Sequence, residues 1–145
     1  MNCDVTLEPT VRLTVNPAEV IHLPSGLLGF EHLRSYVLLA DPAEAPFLWL
    51  QVLDDPRLAF LVVPPLSLLP QYRPELSDDD VRSLALERAE DASVLCIVTI
   101  RGPHEATMNL KGPIIVNRRT KVGRQVIPTN AAEFSVEHPL ALARA

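Results

Sequence analysis

Residues 108–117 read MNLKGPIIVN, which places a lysine and a Gly-Pro pair between two apolar runs. Proline has a fixed φ and no backbone N–H, so it interrupts a strand inside a sheet. We therefore predict that strand segments at residues 106–110 and 114–117 flank a polar kink. This kink has two interpretations. It is either a bulge that bends the sheet while Lys111 lies in solvent, or a place where free backbone groups and Lys111 meet an incoming chain.

The rest of the chain consists mainly of short apolar runs separated by turn residues. Residues 10–15 alternate apolar and polar, as in a strand with one wet face. Further runs at residues 36–40, 47–53 and 58–63 follow with the spacing that is typical of all-β sandwiches and barrels. Residues 93–101 form an unbroken apolar run, which indicates a buried strand. The sequence therefore predicts a mainly β fold, a small antiparallel β-barrel-like domain capped by one α-helix.

The predicted helix covers residues 77–89. Ser77 is suited to cap its first amides, and the three aspartates at residues 78–80 complement the positive end of the helix dipole. Val81 and Leu84 then fall on one face at helical spacing. The aspartates lack the spacing of a calcium-binding loop, so capping accounts for them.

Chain length and composition indicate one globular domain. The 145 residues fit a single core, and 48% are hydrophobic against 21% charged. We assign residues 1–128 to the domain and residues 129–145, whose periodicity is weak, to a flexible C-terminal tail. The start of the chain has no signal-peptide pattern, and no apolar run is long enough for a membrane helix. We therefore expect a cytoplasmic protein that does not bind a membrane.

The residue content argues against two classes of function. None of the common nucleophile, zinc or phosphate-loop motifs occurs, so we expect no enzyme, no cofactor and no metal. A nucleic-acid-binding barrel needs a basic groove with stacking aromatics, but the net charge is −5 and only 5% of the residues are aromatic. This alternative stands only if the basic cluster at residues 118–124 shares a face with Tyr72 or Trp49. A protein-binding domain remains as the favoured class.

Five separated motifs carry a resemblance to a known family. Residues 24–31 (PSGLLGFE) resemble GLPGFE, residues 47–56 (FLWLQVLDDP) are similar to PF-x-x-LQS-x-x-x-P, and residues 60–72 match F-x-V-x-x-P followed by tyrosine. Residues 109–117 (NLKGPIIVN) resemble NLKAPIVIN, and residues 123–127 (GRQVI) match G-x-Q-x-I. In this order, they resemble the flagellar assembly factor FliW family. Two positions depart from its pattern, because the family has proline at Leu28 and alanine at Gly112.

The resemblance implies a function without a covalent step. Proteins of this family are expected to bind flagellin in the cytoplasm, and also CsrA, an RNA-binding translational regulator. CsrA held by the factor cannot repress flagellin mRNA, and newly made flagellin captures the factor and releases CsrA. On this basis we expect a protein that is a monomer when free, has flagellin and CsrA as partners, and does not bind nucleic acid directly.

The candidate partner-binding residues come from the kink and from two polar strand positions. Gln51 and Asn117 could donate hydrogen bonds to a partner backbone, or they could satisfy turn carbonyls within the domain. The full candidate set is Gln51, Asn109, Leu110, Lys111, Gly112, Pro113, Ile114 and Asn117.

Overall fold

A computed structural model describes residues 3–7 and 11–141 of the chain. These residues form eleven strands and one α-helix, α1 (Asp78–Ser83). The strands are β1 (Cys3–Leu7), β2 (Val11–Val15), β3 (Ile21–His22), β4 (Ser35–Ala40), β5 (Leu48–Val52), β6 (Ala59–Val63), β7 (Ala92–Gly102), β8 (Glu105–Met108), β9 (Ile114–Asn117), β10 (Gly123–Gln125) and β11 (His138–Ala141).

The strands form a hairpin and one large sheet. β1 and β2 pair only with each other, and the other nine strands form a sheet in the order β10-β9-β7-β6-β5-β4-β3, with β8 and β11 attached beside β7. Every paired strand is antiparallel to its neighbour. The ends of the sheet meet at a single bridge between His22 and Val122, not along a ladder. The predicted mainly β, antiparallel domain with one helix is confirmed, although the sheet is curled and does not close into a barrel.

Strand β7 organises the sheet because it pairs with both segments that flank the kink, which comprises residues 109–113. Its first half pairs with β9 and its second half with β8. Met108 pairs with Val98 and Ile114 pairs with Leu95. Six residue steps from β8 to β9 therefore correspond to only three residue steps along β7. The kink therefore inserts three extra residues. An odd insertion reverses which side chains point to each face of the sheet.

This reversal divides the apolar residues between two cores. On what we call the first face, eleven buried residues form the larger core, which includes Leu95, Ile114 and Val116. On the second face, a core around Cys96 also contains Met108, which precedes the kink. A smaller cluster lies under α1 and consists of Leu84, Ile115 and Val126.

Helix α1 begins where the sequence predicts but ends earlier. The Ser77 side chain accepts a hydrogen bond from the backbone N–H of Asp80, as expected of an N-cap. The helix ends at Ser83, however, and not at residue 89. Ala85 has a left-handed φ of 52°. The N–H of Leu86 then donates to the carbonyl of Val81, which closes the helix end in a Schellman arrangement.

The predicted tail is part of the domain as far as Ala141. The N–H of Thr129 donates to the carbonyl of Glu75 at 2.8 Å, and the ring of Phe134 meets that of Tyr72 edge to face, with centroids 4.8 Å apart. β11 then pairs with β8 along its length. The segment predicted as a tail is therefore packed on the domain, and the partners that hold it lie far away in the chain, which no pattern within the segment itself can show. Residues 142–145 lie outside the described residues.

Replacing Ala85 by glycine should stabilise the protein. An L residue in the left-handed region costs about 1 kcal/mol that glycine avoids, so we expect Ala85→Gly to raise the free energy of unfolding by about that amount. Urea unfolding measures it. Ala89→Gly is the matched control, since Ala89 has an ordinary negative φ and glycine should lower stability there by about 0.5 kcal/mol. A loss of stability in both variants would contradict the left-handed helix end.

Asn117 ties the end of α1 to strand β9. Its Nδ2 donates to the carbonyls of Leu84 at 2.9 Å and Ala85 at 3.3 Å, and its side chain is fully buried. Asn117→Ala leaves these carbonyls without that donor, so we expect a loss of about 1–3 kcal/mol in urea unfolding. The exposed Asn16, which caps one turn near the start of the sheet, is the control. Asn16→Ala should cost less, and equal losses would argue against the buried tie.

Candidate partner-binding surface

Hydrogen bonds within the domain satisfy the backbone N–H groups of the kink. The Asn109 Oδ1 accepts from the N–H of Lys111 at 3.0 Å and from the N–H of Gly112 at 3.1 Å. The N–H of Leu110 donates to the carbonyl of Ser135 at 2.9 Å. The three donors that the sequence suggested as free for a partner are therefore already paired.

Two carbonyls of the kink accept hydrogen bonds from side chains within the domain. The Tyr72 hydroxyl donates to the Leu110 carbonyl at 2.7 Å, and the Gln125 Nε2 donates to the Gly112 carbonyl at 2.9 Å. The buried members of the predicted set in this region are Leu110, Gly112, Pro113 and Ile114. The backbone donors that the docking interpretation needs are therefore already bonded within the domain, and the extra residues make the kink a bulge against β7. Partner binding by this stretch stays a prediction. Lys111 is only partly buried, and its ammonium group has no ion pair within the described residues.

Glycine at position 112 suits this packing. A Cβ added there would lie 3.0 Å from the Gln125 Nε2 and 3.1 Å from the Asn109 Nδ2, both closer than ordinary van der Waals contact. These two amide side chains hold the kink closed. Because this chain has glycine where the family pattern has alanine, the side-chain amides of Asn109 and Gln125 can lie directly against the backbone of residue 112.

The two polar strand residues also act inside the domain. Gln51 is 7% exposed, and its Nε2 donates to the carbonyls of Val52, Pro56 and Leu58 in the turn between β5 and β6. Asn117 is buried and bonds the end of α1, as described above. Of the two accounts that the sequence left open, the structure supports internal satisfaction for both.

The basic cluster forms the turn between β9 and β10. Arg119 lies 3.7 Å from the Glu87 carboxylate, and Arg124 lies 3.4 Å from that of Asp80. Partly exposed ion pairs of this kind contribute little stability, but they place an acid beside each of these cations. The cluster therefore does not form an uninterrupted basic face.

The aromatic side chains are in the wrong place for a nucleic-acid interface. Tyr72 is buried and its hydroxyl is bonded to the kink. Trp49 is exposed, but it lies in a groove whose lining contains no arginine or lysine. The condition under which the nucleic-acid alternative would stand is not met within the described residues.

An apolar groove surrounds Trp49 on the second face. It has a volume of about 660 Å³. Three large apolar side chains in it are exposed to solvent: Trp49 by 40%, Leu68 by 41% and Ile100 by 55%. We call this cavity the Trp49 groove. Its remaining lining residues are Ala43, Glu44, Ala45, Pro46, Phe47, Leu61, Met108, His138, Pro139 and Leu140.

Strand register explains why these side chains meet. Trp49 of β5 faces Leu61 of β6, and Met108 of β8 faces His138 of β11, so the four positions line one side of the sheet. The neighbouring part of this face, around Cys96, is covered by aromatic rings from the connecting segments. The Trp49 groove is a part of the face that these segments leave uncovered.

A second apolar groove, of about 540 Å³, lies between α1 and the sheet. It is lined by Tyr72, Leu76, Val81 and Val94 among others, but only Leu66 in it is a large and well exposed apolar residue. The Trp49 groove exposes three such residues. Because contiguous exposed apolar surface marks interaction sites, we take the Trp49 groove as the candidate partner-binding surface.

The described residues offer little reactive chemistry. Burial raises the pKa of Cys96 to about 12, so its thiol stays protonated at neutral pH. Residues 3–7 and 11–141 contain no group of three or more His, Cys, Asp or Glu side chains that could hold a metal ion. Within the same residues no helix has the length and apolar character that crossing a membrane requires.

Reasoning from the sequence missed this surface. The sequence indicates Trp49 only as a possible stacking platform for bases, and it gives no reason to single out Leu68 or Ile100. Exposure does not alternate along β5 or along the end of β7, where Thr99, Ile100 and Arg101 are all exposed, so no local periodicity marks these residues. They come together on one face only once the strand order is known.

Comparison with known proteins supplies the family. The model of the FliW protein family matches residues 6–140. The flagellar assembly factor FliW of Syntrophus aciditrophicus (strain SB) is 40% identical over 116 residues, which cover 79% of this chain and 73% of that protein. The flagellar assembly factor FliW of Nitratidesulfovibrio vulgaris (strain DP4) is 42% identical over 123 residues, which cover 83% and 70%.

Solved structures agree. A crystal structure of the flagellar assembly factor FliW superposes with a TM-score of 0.83 at 26% identity, covering 94% of this chain and 95% of that one. The residues that the family model matches include the kink. This chain belongs to the FliW family of flagellar assembly factors.

Proposed function

We propose that this protein is a cytoplasmic, non-enzymatic assembly factor that binds flagellin and the translational regulator CsrA in turn. Binding to the factor keeps CsrA from repressing flagellin mRNA, and flagellin displaces CsrA when unexported subunits accumulate. Membership of the FliW family supports the flagellar role. The observation that carries a binding role is the exposure of Trp49, Leu68 and Ile100 in one groove.

The Trp49 groove has the composition of a protein-binding site. Its floor combines an aromatic ring with branched aliphatic side chains, while Glu44 and His138 supply polar groups. Binding energy in protein interfaces concentrates in a few such buried anchors, and tryptophan is prominent among them. We propose that an apolar segment of flagellin occupies this groove.

Mutual exclusion requires a coupling free energy between the two partners, through either overlap or a two-state element. The backbone of the kink is held by side chains from distant parts of the chain, which include Tyr72 and Gln125, and this leaves it little freedom to switch. We therefore propose that flagellin and CsrA overlap at the Trp49 groove. The net charge of −5 adds repulsion between the complex and RNA phosphates.

Truncation of the groove residues tests this proposal. Trp49→Ala and Ile100→Ala should each weaken flagellin binding about tenfold or more in isothermal titration calorimetry, because removal of an interface anchor costs about 1–2 kcal/mol or more. Overlap predicts a comparable loss for CsrA. Melting temperatures report whether the variants remain folded.

Exposed apolar residues outside the groove provide matched controls. Ile127 is 57% and Val136 is 54% exposed, and neither lines the groove. Ile127→Ala and Val136→Ala should bind both partners as the unmodified protein does. Unchanged binding in the groove variants, or equal losses in groove and control variants, would refute the assignment of the groove.

Lys111 is the remaining kink residue that could contact a partner, through its side chain alone. Lys111→Glu should weaken the capture of flagellin or CsrA by a few fold in a pull-down, since rim charges contribute less than buried anchors. The melting temperature should stay nearly unchanged, because the kink is held by hydrogen bonds that its backbone N–H groups donate to the Asn109 side chain. Loss of binding together with loss of the fold would instead assign Lys111 a structural role.

A further inference from the structure

A smaller cavity opens on the first face, where the curled sheet brings its distant strands together. It has a volume of about 270 Å³ and shares no lining residue with the Trp49 groove. Its apolar lining consists of Ile21, Val37, Leu38, Leu95 and Val116, most of which belong to or pack against the larger core, and Ser93 adds a hydroxyl group. Mouths of β-structures are common places for small ligands.

Three charged side chains also line this cavity: Arg118, Lys121 and Glu19. None of the three forms an ion pair with another described residue, whereas the nearby Arg119 and Arg124 do. The cavity therefore carries one excess positive charge beside its apolar lining.

The backbone at Lys121 is fixed in an uncommon conformation. Lys121 has a left-handed φ of 62°, its N–H donates to the Asn117 carbonyl at 2.8 Å, and its carbonyl accepts from the N–H of His22 at 2.8 Å. Residues held in this region at a cost in free energy occur at ligand sites. The two bonds hold the backbone that carries the ammonium group.

We propose that this cavity binds a carboxylate attached to a single branched apolar group. The apolar group packs against the apolar lining, and the carboxylate lies between the Arg118 guanidinium and the Lys121 ammonium. A guanidinium can bind a carboxylate with two parallel hydrogen bonds, while an ammonium acts as a point charge. The volume lies below the range of about 300–1,000 Å³ typical of drug-sized ligands, so one residue-sized group fits. The carboxylate is either the C-terminus of a polypeptide that ends in an apolar residue or a free short-chain acid.

NMR titration of the full chain tests the proposal with three probes. N-acetyl-leucine carries the carboxylate, N-acetyl-leucinamide has the same apolar group without the charge, and 4-methylpentanoate is a free acid without an amide. We expect saturable shifts of the backbone amides of Leu38, Leu95 and Val116 with both acids, and none with the amide. Tighter binding of N-acetyl-leucine than of 4-methylpentanoate identifies a polypeptide terminus as the source, and equal binding identifies a free acid.

Variants separate this site from general charge effects. Arg118→Met and Lys121→Met should each weaken binding of N-acetyl-leucine at least fivefold, while Lys111→Met, which alters the chain's other lysine outside the cavity, should have no effect. The proposal is overturned if the acid and its amide bind equally, if neither acid binds, or if Lys111→Met weakens binding as much as Lys121→Met. The probes do not involve flagellin or CsrA, so the result is independent of the proposed function.

Discussion

The pairing of β7 with both flanks of the kink is the constraint on which the rest of the structure depends. Three extra residues between β8 and β9 let both strands pair with β7 while their side chains point to opposite faces. Met108 consequently joins the second-face core and Ile114 the first. Without the odd insertion, one set of apolar side chains would point to the wrong side of the sheet.

The amide side chains of Asn109, Gln125 and Asn117 stabilise this arrangement where the ladder is interrupted. Each bonds backbone groups that would otherwise be buried without a partner. An unsatisfied buried group costs about 1–3 kcal/mol, which is a large share of the stability of a small domain. The polar residues Asn109 and Asn117, in the stretch that resembles NLKAPIVIN, are therefore needed to bond the backbone there.

Local patterns were sufficient to predict the kink, the mainly antiparallel sheet and the start of α1 at Ser77, because each depends on neighbouring residues. The end of α1 could not be read in this way, since it depends on Ala85 adopting a positive φ and on Asn117, which is 32 residues away from it. Gln51 and Asn117 looked like partner-binding residues because a polar residue in a strand suggests exposure. Their true partners are carbonyls that only the folded chain brings close.

The Trp49 groove was equally hidden from the sequence because its members come from five strands and two connections. Each is an ordinary apolar residue in its own segment, and the exposed surface exists only because the covering rings of Tyr72 and Phe134 lie over Cys96 instead. If flagellin and CsrA both occupy that surface, steric exclusion alone couples them completely. No second conformation of the domain is then needed, which agrees with a kink whose backbone is bonded from Asn109, Tyr72 and Gln125.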